Sequence, residues 1–229
     1  MTEPFIGLEH EVKWSLDAAQ ATRDVDRYLN AAAFGRRLEQ ISATSVVTQS
    51  AVVLDDAALS LTRAGHALTA VVNTGAARDV TWFRLKHSIR RGGRHDTLEI
   101  AQRVTEPVSA LLSDRSNPVI GHALTCHLFD GPLSVTGVFT QLRHKRHGIF
   151  RDSTCGLGYG VDIVEFKAPA SGAVLGTYAC LEIEINESTP DGLSLLDDLA
   201  AALDGELGAD REREGKAQLA VRAAGPGRS

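Results

Sequence analysis

Glu9-x-Glu11-x-Lys13 sets two carboxylates and an ammonium at every second position of an otherwise apolar run. In a β-strand these three share one face, and Leu8, Val12 and Trp14 share the other. A strand that is apolar outside and charged inside fits a closed barrel with a polar lumen. Alternating Glu and Lys there can hold a metal ion and an anionic ligand together. The pattern returns near the C-terminus, where Leu181-Glu182-Ile183-Glu184-Ile185 puts Glu182 and Glu184 on one face. Val161-Asp162-Ile163 adds one carboxylate among apolar neighbours.

The basic counterparts also lie in strand-like runs. Arg84 and Lys86 share a face of Trp82-Phe83-Arg84-Leu85-Lys86, and Arg143 pairs with Lys145 in Leu142–Arg146. Arg146 points the other way if that strand is regular, and parity alone does not choose which face looks inward. An antiparallel strand with one face in water alternates in the same way. The order along the chain favours the lumen: acidic pair with lysine first, basic strands in the middle, acidic pair last. Four glutamates in one barrel repel and force some of their number to stay neutral unless a cation relieves them. Hard divalent cations take oxygen ligands, and the basic strands suit a polyanion such as a phosphate chain.

The elements that must position these residues can be read coarsely. Residues 5–14 form the first strand. Ser15-Leu16-Asp17 supplies cap chemistry for a helix over 18–33, ended near Gly35. Residues 38–54 make two short strands or one bent one. Ala67–Asn73 and Val80–Ser88 form a hairpin, followed by a basic Gly-rich loop at Arg90–Arg94. A strand over Thr97–Val104 and a short helix over Pro107–Ser113 come next. Val119–Leu128 and Leu133–Arg146 are strand candidates around an Asp130-Gly131-Pro132 turn. Arg151–Gly160 is loop-like, Val161–Lys167 and Leu175–Ile185 are strands, and Ser188–Leu203 is an amphipathic helix. That makes roughly eight strands with two to four helices. With so few helices between strands, the class is α+β and the sheet antiparallel. Residues 1–204 form the domain; 205–229, rich in Glu, Arg, Gly and Ala, read as a flexible C-terminal tail.

Composition narrows the partners. The chain has 229 residues, 43% hydrophobic and 23% charged, enough for a sizeable core. A formal charge of −5 argues against coating nucleic acid, so any anion site is a local concentration of positive charge. Cys126, Cys155 and Cys180 include no CxxC pair and are odd in number, so neither a disulfide framework nor a cysteine-based zinc site is expected. Free thiols suit a reducing cytoplasm. No signal peptide and no apolar run of membrane-spanning length is read, so no membrane partner is expected. The oligomeric state is not legible. Histidine spacing gives no zinc motif, and His10, on the strand face opposite Glu9 and Glu11, is not assigned to a metal.

Glu9-x-Glu11-x-Lys13 resembles the ExExK signature of the CYTH superfamily, the triphosphate tunnel metalloenzymes. The resemblance runs in the family's order over about residues 5–200. Val52–Leu59 resembles a Y-[FL]-D-T segment of which only Asp55 remains. Arg84-Leu85-Lys86 resembles a strand with a characteristic lysine, and Arg143–Arg146 the later basic strand. Asp162 resembles an acidic position before the last strand, and Gly176 through Glu184 the closing G-x-[FY]-x-E-x-E element. The resemblance implies an eight-stranded antiparallel β-barrel, or tunnel, with flanking helices. It implies that the glutamates hold Mg²⁺ or Mn²⁺ and that basic residues bind a triphosphate-containing small molecule. Family activities are hydrolysis of inorganic, thiamine or RNA triphosphate, and adenylate cyclisation. Mapped here, the metal set is Glu9, Glu11, Glu182 and Glu184 with Asp162 nearby. The phosphate set is Lys13, Arg84, Lys86, Lys145 and Arg143 or Arg146. Glu9, Glu11 and Lys13 form the catalytic signature.

One departure bears on the chemistry. The family's L-R-x-R strand is here Leu68-Thr69-Ala70-Val71, which lacks both arginines. Neither Thr nor Val replaces a bidentate guanidinium. Arg84, Arg63 and the Arg90–Arg94 loop are the candidates to compensate. The leading expectation is metal-dependent hydrolysis of a triphosphate-containing small molecule. The alternatives are a class IV-type adenylate cyclase, or a catalytically altered tunnel that binds or processes another anionic metabolite.

Overall fold

A computed structural model describes residues 3–74, 80–89, 95–112, 114–186 and 188–225. Nine strands run through the described residues: β1 (Phe5–Leu16), β2 (Leu38–Glu39), β3 (Ser45–Asp55), β4 (Ala67–Thr74), β5 (Val80–Ser88), β6 (His95–Val104), β7 (Ser134–Phe150), β8 (Gly156–Lys167) and β9 (Val174–Ile185). The sheet order is β2-β7-β3-β4-β5-β6-β1-β9-β8, and a further β7–β8 pairing closes it. Eight long antiparallel strands thus form a barrel, with the two-residue β2 paired to the end of β7. This is the α+β tunnel expected from the sequence. The Arg90–Arg94 loop lies outside the described residues.

Helices cover two sides of the barrel's outer face, where its apolar residues are buried. On one side lie α1 (Ala18–Arg23), α2 (Val25–Leu29), α3 (Ala32–Arg37) and α7 (Pro190–Leu207). They bury Val12, Trp14, Tyr159, Leu181 and Ile183, and Phe34 stacks on Tyr159 with ring centroids 4.1 Å apart. The expected single helix over 18–33 is three short ones. Asp24 breaks the run by capping α2, its carboxylate accepting the Arg27 N–H at 3.2 Å. On the other side lie α4 (Ser60–Arg63), α5 (Val108–Leu111) and α6 (Pro118–Thr125), over Leu68, Phe83, Leu85 and Ile100.

The expected strand at Val119–Leu128 is helix α6 instead. Val119 and Ile120 give the stretch its β-like look. Asn117 decides against it by accepting the Val119 N–H at 3.0 Å, with Pro118 in the first turn. The segment read as a flexible tail also departs from expectation. Residues 216–224 form α8 (Lys216–Ala224), whose Ala217, Ala220 and Val221 pack on Ala51, Val53, Val71, Phe139 and Val164. Those partners alternate with the outer-face positions of their strands, so α8 covers an apolar part of the inner wall. At Gly137 an added Cβ would stand 3.1 Å from the Val221 backbone nitrogen, so the helix approaches the wall without a side chain between.

Asp55, the surviving residue of its expected motif, is structural. Fully buried, it accepts the Leu61 and Thr62 N–H groups at 3.0 and 2.8 Å and starts α4, where Leu59 (φ 56°) offers no side-chain cap. Asp55→Ala orphans these buried donors. It should lower the unfolding free energy by about 1–3 kcal/mol in urea titrations, with tunnel ligand binding unchanged.

Candidate active site in the tunnel

Alternation along each strand fixes what faces the lumen. From β1 come Glu9, Glu11 and Lys13; from β5, Arg84 and Lys86; from β7, Arg143 and Lys145; from β8, Asp162; from β9, Glu182 and Glu184. Register brings them together: Lys13 lies opposite Glu182, Glu11 opposite Glu184, and Arg143 opposite Asp162. Glu11, Lys13, Arg84, Lys86, Arg143 and Glu182 line a cavity of about 970 Å³ that also includes Thr69, Val71 and Arg63. Two glycines make room. An added Cβ at Gly158 would stand 3.1 Å from Glu184 Oε1, and one at Gly160 would stand 2.7 Å from the His144 carbonyl oxygen and 3.2 Å from Lys145 Cγ.

The expected carboxylate set divides in two. Oxygens of Glu9, Glu11 and Glu184 lie within 4.8 Å of one another. Lys86 Nζ sits 2.6 Å from Glu9 and 3.5 Å from Glu11, Lys145 is 2.6 Å from Glu184, and Lys13 pairs with Glu11. Burial, reinforced by Glu11 and Glu184 and only partly offset by Lys86, pushes Glu9 up to about 8. Burial also raises Glu184, but Lys145 and Arg143 outweigh it and bring that carboxyl down to about 2. Two buried carboxylates and the half-buried Glu184, with Glu9 kept protonated mainly by burial, form a hard oxygen donor set that fits Mg²⁺ or Mn²⁺.

Asp162 and Glu182 stand apart from that cluster. Arg143 donates from Nε to Asp162 at 2.9 Å and from Nη2 to Glu182 at 3.0 Å. Lys216 of α8 meets both, at 2.8 Å from Glu182 and in contact with Asp162. Burial works against the charges of Glu182 and Lys216, yet mutual attraction wins. Glu182 is held well below the usual carboxylate range and Lys216 above the usual lysine range. These two acids therefore anchor cations.

Arg146 is corrected. It lies on the outer face and donates to Thr44 Oγ1 at 2.7 Å and Asn30 Oδ1 at 2.8 Å, tying α2 to the barrel. Arg143, the other candidate, is the one that faces inward. His10 also points outward, as expected, its nitrogens 2.7 Å from Asp96 and 2.9 Å from Ser188. Two charged residues that pair with the predicted lumen set escaped the sequence reading. Glu99 pairs with Arg84 at 3.1 Å; its signal was a lone carboxylate in the alternating run Leu98-Glu99-Ile100. Lys216 was hidden in a polar segment, and the apolar spacing of Ala217, Ala220 and Val221 was the available clue.

Thr69 and Val71, where arginines were expected, do face the cavity. Arg84 lies beside Thr69 in register, and Val71 packs under α8.

No protein family and no curated protein matches this sequence. Solved structures do. A candidate adenylyl cyclase from Hippeastrum, described as having a dominant triphosphatase activity, is 18% identical over 94% of this chain and 95% of its own, with a TM-score of 0.54. A protein from Pyrococcus horikoshii is 15% identical over 93% and 98%, with a TM-score of 0.55. A candidate adenylate cyclase from Bacillus halodurans is 15% identical over 93% and 97%, with a TM-score of 0.54. At these identities the likeness is one of fold. Among the described residues no helix is long and apolar enough to cross a membrane.

Proposed function

We propose that this chain, which has the fold of those cyclase- and triphosphatase-type tunnel proteins and the ExExK pattern, is a divergent member of the triphosphate tunnel metalloenzymes. In this reading it hydrolyses a triphosphate-containing small molecule with the help of Mg²⁺ or Mn²⁺. The observation that carries it is one lumen in which the Glu9–Glu11–Glu184 cluster faces Lys13, Arg84, Lys86, Arg143 and Lys145. Glu9, Glu11 and Glu184 would hold the ion, which when bound offsets their repulsion and favours attack by water at phosphorus. Lys86, Lys145 and Lys13 now pair with this carboxyl cluster, and become available to phosphate oxygens when its members turn to a cation. Arg84 presents a guanidinium fork where the lost arginine of position 69 would have stood. Glu9 carries a proton at neutral pH until a cation takes its place. Water adds in line to the terminal phosphorus, the bridging P–O bond breaks, and orthophosphate leaves with a diphosphate product.

A binding-only reading is favoured by one observation: Thr69 and Val71 remove two guanidinium groups, and α8 covers the wall beside them. Purified protein incubated with tripolyphosphate, ATP and thiamine triphosphate, with Mg²⁺ or Mn²⁺, separates the readings. Release of orthophosphate is expected, with Glu11→Gln lowering kcat by about 10²–10³-fold. Cyclic AMP and pyrophosphate from ATP would instead mark a cyclase. Calorimetric binding without turnover would leave the binding protein and end the hydrolase reading.

A further inference from the structure

Outside the barrel, three soft or borderline ligand atoms converge that the sequence keeps apart. His87 projects outward from β5, next to inward-facing Lys86. His122 and Cys126, four residues apart, come from one face and the C-terminal end of α6. His122 Nε2 lies 3.3 Å from His87 Nδ1 and 3.5 Å from Cys126 Sγ. A neutral imidazole nitrogen offers either one lone pair or one N–H, so it cannot serve both neighbours well by hydrogen bonding. These lengths instead match the edges of a metal tetrahedron. Zn–N of about 2.0–2.1 Å and Zn–S of about 2.3 Å give N···N edges of about 3.3–3.4 Å and N···S edges of about 3.6 Å. The three ligand atoms all lie within 4.8 Å of one another, and Cys126 is an exposed thiol outside any disulfide.

The surroundings orient the first ligand. The His66 ring packs edge-on against His87 with centroids 4.7 Å apart, and its Nδ1 accepts the Ser88 N–H at 3.1 Å. That ring contact packs against the His87 imidazole and limits its rotation. Cys155 and Cys180 are buried elsewhere, and Cys180 lies with Asp162 and Glu182.

We propose that His87, His122 and Cys126 form a site for a zinc-class divalent ion, with a fourth position left to water or another ligand. The nitrogen and sulfur donors set it apart from the oxygen cluster of the tunnel, which suits hard cations. A bound ion would clip α6 to the barrel wall directly behind Lys86. The expectation of no cysteine-based zinc site rested on linear spacing, and here the fold supplies what spacing lacks.

Chelator-treated, reduced full-length protein titrated with Co²⁺ provides the test. One equivalent should give tetrahedral d–d bands and a thiolate-to-cobalt charge-transfer band, and Zn²⁺ should displace it. Cys126→Ser should abolish the charge-transfer band, and Cys126→Ser and His122→Gln should each weaken Zn²⁺ binding by at least about tenfold. Cys180→Ser should leave the band in place. Zn²⁺ should raise the Tm of the parent protein and not that of Cys126→Ser. Absence of a thiolate band in the parent, or its persistence in Cys126→Ser, overturns the site. The exposed position of Cys126 makes that variant safe for folding.

Discussion

Arg143→Ala should lower the unfolding free energy by about 3–5 kcal/mol, among the largest effects of any single substitution in the lumen. Its guanidinium spans two strands, meeting Asp162 on β8 and Glu182 on β9, and Asp162 has no exposure to water. Removal leaves two buried carboxylates to share Lys216. The cost comes from the stranded charge more than from the lost pair, which gives the prediction a second arm. Arg143→Ala with Asp162→Asn should recover a substantial part of the loss, because one stranded charge is gone. Arg143→Lys should fall between, since a single ammonium reaches one carboxylate well and not two. Urea titrations of the three variants at neutral pH measure this. A cost below about 1 kcal/mol for Arg143→Ala would mean that the network is hydrated and behaves like a surface pair.

The same contacts explain what the sequence could and could not show. Strand alternation at Glu9, Glu11 and Lys13 and at Glu182 and Glu184 needs only local periodicity, so the lumen face of β1 and β9 was readable directly. The sequence left Arg143 against Arg146 open, because parity says which residues share a face and not which face is buried. Packing decided it: Arg146 reaches Thr44, just before β3, and Asn30 at the end of α2, contacts over about a hundred residues of sequence. Asp162 and Glu182 read as metal ligands because like charges in a lumen call for a cation. The cation turned out to be partly Lys216, brought by a helix whose amphipathic spacing is short and whose flanks are polar. The α6 error has a similar origin. Val119 and Ile120 favour a strand by propensity, but Asn117 and Pro118 specify a helix start, and capping outweighs propensity over eight residues. That error also concealed the His122–Cys126 pairing, since four residues apart means one face on a helix and nothing special on a loop.

Divalent-metal binding should tighten as pH rises toward about 8 and then level off, because Glu9 must lose its proton to become a ligand. The effect on stability without metal has the opposite sign. Glu9 rises from 4.5 to about 8 on folding, so the folded chain binds the proton more strongly than the unfolded chain does. Its contribution is fully present below about 4.5 and is lost as pH climbs through about 8, a change on the order of a few kcal/mol. Glu184, lowered to about 2, acts in a different window: its contribution is present above about 4.5 and lost as pH falls toward 2. His87 and His95 are lowered by burial, helped respectively by His122 and Lys13, and so contribute stability that grows as pH rises toward the ordinary histidine value and is fully present above it. The difference between the parent and Glu9→Gln isolates the Glu9 part, because the histidines are common to both. Urea titrations across the neutral range should show the parent losing stability relative to Glu9→Gln as pH rises. Millimolar Mg²⁺ should reverse that loss in the parent alone. The same ion should strengthen tripolyphosphate binding, and tripolyphosphate should strengthen ion binding by the same factor. The reason is in the geometry: each carboxylate that turns to a cation frees Lys86, Lys13 or Lys145 for the anion. Equal pH slopes in the two proteins, or anion binding indifferent to Mg²⁺, would show that the lumen lysines and carboxylates do not exchange partners.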